Sequence, residues 1–320
     1  MFKVAVVGPI HEEGMALFRE RSNINVTVLQ DLSPEGIAKG ITNVDAITIR
    51  TQLLPKEILE LAPNLRIVSR HGVGYDNVDV AYLSSRKIPM ALAVDANYTA
   101  VAEHTLMMML VVAKDALQGQ NAVKQGDFAW RNKGTLTDVL GKHVLIMGFG
   151  RIGQRVATLC QAFGMTVSAY DPFVTESPVP GVEMVKDWKA LLPQIDFLSL
   201  HMPSMPETMG MIGAAELKIM KNTAIIVNCA RGGLVDEDAL AKALAEGTIC
   251  GAGFDVFKDE PHDHTHPLFA QERCIFSPHN AALTVECTVR MAKQCAQNVI
   301  DCLDGKLQAR AVVNSKAIGM

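Results

Sequence analysis

One stretch constrains this chain more than any other. His143-Val144-Leu145-Ile146-Met147 runs directly into Gly148-Phe149-Gly150-Arg151-Ile152-Gly153, and Gln154–Cys160 continues with helical spacing. An apolar strand, a glycine turn and a helix in that order form one βα step of a parallel sheet. The first glycine permits the tight turn, the second lets the backbone approach a pyrophosphate, and the third lets the helix pack on the strand. The helix start offers free N–H groups and a partial positive charge, to which Arg151 adds a full one. A lone glycine hexapeptide is weak evidence, so its context matters. The next apolar strand ends at Tyr170-Asp171-Pro172, which puts a carboxylate where such a site holds ribose hydroxyls. No Lys or Arg follows until Lys186, so no local cation awaits a 2′-phosphate, and the expected cofactor is NAD.

The rest of the chain repeats that alternation. Val4–Val7, Ala46–Ile49, Arg66–Ser69, Val144–Met147, Thr166–Tyr170, Phe197–Leu200, Ala224–Asn228, Gly251–Val256 and Cys274–Ser277 all read as interior strands. Amphipathic stretches lie between them, which predicts an α/β fold with parallel sheets covered on both faces. An apolar helical run from about Val101 to Leu117 separates two groups of strands. After Ser277 only a helix from about Val285 to Leu303 and a short tail remain. We therefore expect one domain from 1–98 and 286–320, with a second, 99–285, inserted in it.

Composition excludes several classes. With 320 residues, 49% of them apolar, two cores can be filled. A formal charge of −4 gives no general attraction to nucleic acid or anionic lipid, so neither is an expected partner. The run Leu106–Ala113 is far shorter than the roughly 20 residues a membrane span requires. Seven cysteines without a CxxC pair, and an opening strand without a charged leader, predict reduced thiols in a cytoplasm.

Reactive side chains collect at three expected strand ends: Asn228-Cys229-Ala230-Arg231-Gly232-Gly233-Leu234-Val235-Asp236, Phe254-Asp255-Val256-Phe257-Lys258-Asp259-Glu260-Pro261 and Ser277-Pro278-His279-Asn280-Ala281. Together with the glycine turn they resemble, in order and spacing, the signatures of the D-isomer-specific 2-hydroxyacid dehydrogenase family. Arg70-His71-Gly72-Val73-Gly74-Tyr75-Asp76-Asn77-Val78-Asp79 resembles that family's substrate loop, Val101-Ala102-Glu103-His104 its connecting helix, and His201-Met202-Pro203 with Thr208 its cofactor-side loop. The resemblance implies two doubly wound parallel-sheet domains, a Rossmann NAD-binding domain inserted in a flavodoxin-like substrate domain. It implies hydride transfer between NAD(H) and a small 2-hydroxy or 2-oxo acid, with His279 as acid/base, Glu260 as its partner and Arg231 on the substrate carboxylate.

The chemistry asks for these residue types. Oxidising a secondary alcohol removes a hydroxyl proton as hydride leaves carbon, and histidine serves both directions near neutral pH. A neighbouring carboxylate fixes the imidazole tautomer and favours the protonated form. A guanidinium presents parallel donors to a planar carboxylate, which lysine does less well. By the same resemblance Asp255 holds the nicotinamide carboxamide, Cys229 and Ala230 offer backbone carbonyls to the ring, and Ala281 lies beside it. A small packing residue is the favoured reading of Cys229 over a nucleophile. Gly72, Val73 and Gly74 are expected to bring N–H groups to the substrate carboxylate.

Arg50 and Arg70 end strands in the same domain and are open to two readings, a contact to a second anionic group such as a phosphate, or a solvated charge. The substrate thus stays open between phosphoglycerate-type and glyoxylate- or hydroxypyruvate-type acids. His262, Asp263, His264 and His266 suggest a metal cluster, but they follow Glu260 in an ordinary loop and the chemistry needs no metal, so none is expected. The resemblance further implies a homodimer, with residues near Phe128-Ala129-Trp130-Arg131 reaching the partner. The rival reading is a non-enzymatic NAD-sensing corepressor of the same fold, disfavoured by the absence of tails.

Overall fold

The computed structural model describes all residues from Met1 to Met320. They form two compact units, residues 1–97 with 283–320, and residues 98–282.

The first unit is built on β1 (Phe2–Val7), β2 (Ile24–Val28), β3 (Ala46–Ile49), β4 (Ile67–Arg70) and β5 (Met90–Leu92), all parallel, in the order β2-β1-β3-β4-β5. That is the flavodoxin-like winding. Ala46–Ile49 is buried throughout, as expected for an interior parallel strand covered on both faces. The helix Val285–Leu303, capped where Thr284 Oγ1 accepts from Cys287 N at 3.2 Å, returns to this sheet. Its Ala296, Val299 and Ile300 close a core with Val4, Phe18, Ala46, Ile67 and Ala91. The helix Glu12–Arg19 crosses it so closely that a Cβ on Gly14 would stand 2.6 Å from the Ala292 carbonyl oxygen.

The second unit carries β6 (His143–Met147), β7 (Thr166–Tyr170), β8 (Val182–Met184), β9 (Phe197–Leu200), β10 (Ile225–Asn228), β11 (Gly251–Phe254) and β12 (Cys274–Phe276). The strands are parallel in the order β12-β11-β10-β9-β6-β7-β8. The winding reverses between β6 and β9, so the crevice beyond their C-terminal ends is where a doubly wound sheet binds its ligand. The connecting helix spans Tyr98–Ala113 rather than 101–117. Asp115 adopts a left-handed conformation (φ 46°), which ends the regular turn, and a separate helix, Ala116–Lys124, follows. Apolar on nearly every side, the connecting helix presses on β10 and β11 and on the helix Arg151–Ala162. Gly253 makes this approach possible, because a Cβ there would lie 2.8 Å from Met108 Cβ.

Three strands escape the sequence pattern: β2, β5 and β8. All three are outermost in their sheets; β2 and β8 are partly exposed, while β5 is buried and has only three residues. β2 and β8 lack a long apolar run, whereas β5 lies in the apolar stretch Ile88–Val94 that the strand pattern passes over.

Candidate active site

β6 delivers the glycine turn to the switch point. Gly148 sits at φ 89° and donates to Tyr170 O at 2.8 Å. A Cβ on it would stand 2.6 Å from His201 backbone atoms, and a Cβ on Gly153 would stand 2.2 Å from Gly148 O. Both glycines are therefore obligatory for packing. Gly150 differs: a Cβ there would meet nothing within 4 Å, and the helix it begins has no side-chain cap. Open space in front of an uncapped helix start, with Arg151 and Ile152 in its first turn, fits the pyrophosphate of a dinucleotide.

Asp171, at the end of β7, accepts Phe149 N on Oδ2 and Phe173 N on Oδ1, each at 2.8 Å. The carboxylate is thus oriented by the glycine turn itself and keeps a lone pair on each oxygen, as a ribose-diol acceptor requires. On the loop after β9, Met202 is buried and Pro203 exposed. The Thr208 hydroxyl donates to Pro203 O at 2.8 Å and accepts from Met205 N at 2.8 Å, so it closes its own loop. Gly210 N donates to Gly233 O at 2.7 Å, tying that loop to the segment after β10.

The segment after β10 is shaped by Asn228, a fully buried residue whose role the sequence does not announce. Its Nδ2 donates to Arg231 O at 2.8 Å and its Oδ1 accepts Ala230 N at 3.0 Å. Next to it Gly232 passes so near the segment after β11 that a Cβ would fall 1.8 Å from Phe257 O. No other residue fits there. The contact sets Arg231 beside Glu260, whose carboxyl feels the Arg231 charge. Cys229 is buried against Met108, and burial pushes its thiol up to about 12, which removes it as a nucleophile.

Glu260 Oε1 accepts Phe257 N at 3.0 Å, and Oε2 lies 2.7 Å from His279 Nδ1. Burial alone would raise this carboxyl. The hydrogen bonds from His279 and Phe257, with the charges of His279 and Arg231, outweigh burial and hold it below the ordinary glutamate value. An ionised Glu260 accepts only, so His279 carries its proton on Nδ1 and offers Nε2 for proton transfer. His279 adopts a left-handed conformation (φ 52°), with its N–H donating to Asp255 O at 2.8 Å. The buried Asp255 carboxylate takes Ser277 Oγ at 2.5 Å and Asn280 N at 2.9 Å on Oδ1, and Ala281 N at 3.0 Å on Oδ2. It is the internal anchor of the 277–281 turn.

Three members of the histidine-rich loop have local partners. His262 packs 4.4 Å from the Phe269 ring centroid, His266 lies 3.0 Å from Asp238, and Asp263 accepts from Thr265. No group of three or more potential metal-ligating side chains forms.

In the first unit, Arg50 follows β3 and donates to Pro9 O at 3.2 Å, and Arg70 ends β4 and donates to His71 O at 2.6 Å. Burial, then the charges of Arg50 and Arg70, push the His71 imidazole down to about 4, so both guanidiniums bear on one neutral ring. Gly72 (φ 142°) turns the chain, and the N–H groups of Val73 and Gly74 donate to no other group of the chain. Asn77 Nδ2 donates to Arg50 O at 3.1 Å and Gln52 O at 2.7 Å, joining the loop after β3 to this turn.

Residues 106–281 match the family model described as D-isomer specific 2-hydroxyacid dehydrogenase, NAD binding domain. A D-3-phosphoglycerate dehydrogenase of Methanocaldococcus jannaschii is 36% identical over 98% of this chain, which spans 60% of that protein's length. A glyoxylate reductase of Thermococcus gammatolerans is 36% identical over 99% of this chain and 97% of its own. Among solved structures, the D-lactate dehydrogenase of Aquifex aeolicus complexed with NAD and lactic acid superposes with a TM-score of 0.85 at 26% identity, covering 97% of this chain and 98% of that one.

Proposed function

The chain belongs to the D-isomer specific 2-hydroxyacid dehydrogenase family, and from that premise we propose that it transfers hydride between NAD(H) and a small 2-hydroxy or 2-oxo acid. The observation that carries this reading is the 2.7 Å pairing of His279 Nδ1 with Glu260, in a carboxylate environment that also feels Arg231. When bound, the nicotinamide supplies or accepts the hydride. Arg231 orients the substrate carboxylate, and His279 Nε2 gives a proton to the carbonyl oxygen in reduction or takes it from the alcohol in oxidation. Glu260 keeps the imidazole in the tautomer that leaves Nε2 facing the reaction.

Gly148, Gly150, Arg151, Ile152 and Gly153 would hold the pyrophosphate, Asp171 the ribose, and Asp255 the carboxamide. Met202, Pro203, Cys229, Ala230 and Ala281 line the cofactor, while Thr208 shapes its loop. In the first unit the N–H groups of the Gly72–Gly74 turn serve the substrate carboxylate. Arg50 and Arg70, which bear on one buried ring, favour a substrate with a second anionic group. The unit 1–97 with 283–320 is then the substrate domain and 98–282 the cofactor domain.

The protein works as a homodimer in the cytoplasm on this reading. Val123, Phe128, Leu136 and Leu140 are apolar and at least half exposed on the second unit, as a covered face requires. All seven cysteines are unpaired.

NADH oxidation measured with glyoxylate, hydroxypyruvate, pyruvate and 3-phosphohydroxypyruvate, and repeated with NADPH, tests the proposal. Turnover of at least one acid with preference for NADH is expected, with the phosphorylated acid ahead. NADH binding without turnover of any acid would point instead to a sensing protein.

A further inference from the structure

In the second unit a polar chain runs from the half-buried His104 and Ser277 to the buried Asp255, and none of the roles above uses His104 or Ser277. His104, on the connecting helix, places Nε2 2.9 Å from Ser277 Oγ and 3.8 Å from Asp255 Oδ1. Ser277 Oγ lies 2.5 Å from Asp255 Oδ1. The direction of these bonds follows from counting protons. An ionised Asp255 has none to give, and Ser277 has one, which goes to Asp255. Ser277 Oγ therefore accepts from His104, and His104 must carry its proton on Nε2. Burial lowers the His104 pKa more than the Asp255 charge raises it, which fits a neutral ring.

The chain of donors ends on the carboxylate that holds the catalytic turn. Asp255 accepts the N–H groups of Asn280 and Ala281, while its own carbonyl and that of Ser277 accept the His279 N–H. His279 sits between them in a left-handed conformation that a side chain rarely adopts, so the turn keeps its shape through these bonds. Ser277 is the one residue of the turn whose side chain joins Asp255 to a regular element, through His104. Without the His104 proton, the half-buried Ser277 oxygen loses its donor and Asp255 keeps a partner free to rotate.

We propose that His104 is a positioning residue: its Nε2 proton locks Ser277 onto Asp255, and Asp255 in turn holds His279 where Nε2 meets the reacting oxygen. This rests on His279 being the acid/base group, and the role is positional because His104 acts only through Ser277 and Asp255.

The test compares His104→Leu with His104→Gln, whose amide donor stands near the position of Nε2. His104→Leu should lower kcat about tenfold with the best oxo acid, leave KM and NADH affinity within about twofold, and melt near the unmodified protein. His104→Gln should recover most of that loss. In ¹⁵N spectra of histidine-labelled protein without cofactor, the unmodified chain should show His104 as the Nε2–H tautomer, and His104→Leu should broaden or shift the His279 ring signals. An unmodified kcat in His104→Leu, equal losses in both variants, or a Nδ1–H tautomer at His104 would each overturn the proposal. If the unmodified chain reduces no oxo acid, the acid/base reading fails instead, and the spectra still report whether His104 governs the His279 ring.

Discussion

His279 illustrates how much of this site is decided by single atoms. Its Nδ1 is committed to Glu260 at 2.7 Å, so on the proposed reading proton transfer falls to Nε2. His279→Ala should reduce turnover by roughly 10²–10⁴-fold while NADH binding by fluorescence stays nearly intact; retained turnover would remove the acid/base role. Glu260 sets the acid limit. Its folded pKa lies below the ordinary value of 4.5, so the carboxylate remains charged above that pH and is lost only as pH falls through the lower, folded value. In the reducing direction, where a protonated His279 is wanted, kcat/KM should accordingly hold down to about pH 4.5 before declining. A Glu260→Gln variant should be slower and lack that limb. An acid limb centred above pH 5 in the unmodified protein would contradict the assignment. The glycine turn was visible as a local pattern in the sequence, and the pairing of Glu260 with His279 was implied by the family resemblance. Asn228 was not, because its work is to bond backbone groups two and three residues away, and an asparagine at a strand end carries no mark of that.

Elements meet here through glycines. Gly14 lets the helix Glu12–Arg19 cross Val285–Leu303, and Gly253 lets the connecting helix lie on β11, with virtual Cβ contacts of 2.6 and 2.8 Å. Overpacking a tight contact typically destabilises by about 1–3 kcal/mol. Gly14→Val and Gly253→Val should each lower the denaturation midpoint by at least that equivalent, without changing the denaturant slope. A neutral effect at either position would show that the helix has room to move. The connecting helix was recognisable from its apolar run, but its end was displaced to Ala113 because the left-handed Asp115 breaks an otherwise continuous pattern. Strands β2 and β8 stayed hidden for a related reason: at the outer ends of their sheets they are only partly buried, so polar residues interrupt the apolar signal.

Across the two units the chain fills four core clusters, two in each unit. NADH bound by the unit 98–282 should raise a calorimetric transition by the mass-action term, about 2.7 kcal/mol at a hundred times Kd. If the units melt separately, one transition should move and the other stay. Neither moving would mean that the cofactor is not bound. Runs of adjacent residues carry the parallel α/β class and the dinucleotide turn, while the family resemblance is what nominates Arg231, Glu260 and His279. Tertiary structure alone decided which distant groups share a proton. Ser277 reaches His104 across 173 positions and Asp255 across 22, and the return helix closes the sheet that begins at Phe2. Those relations depend on strand order and on how closely backbones approach, and neither leaves a periodic signal along the chain.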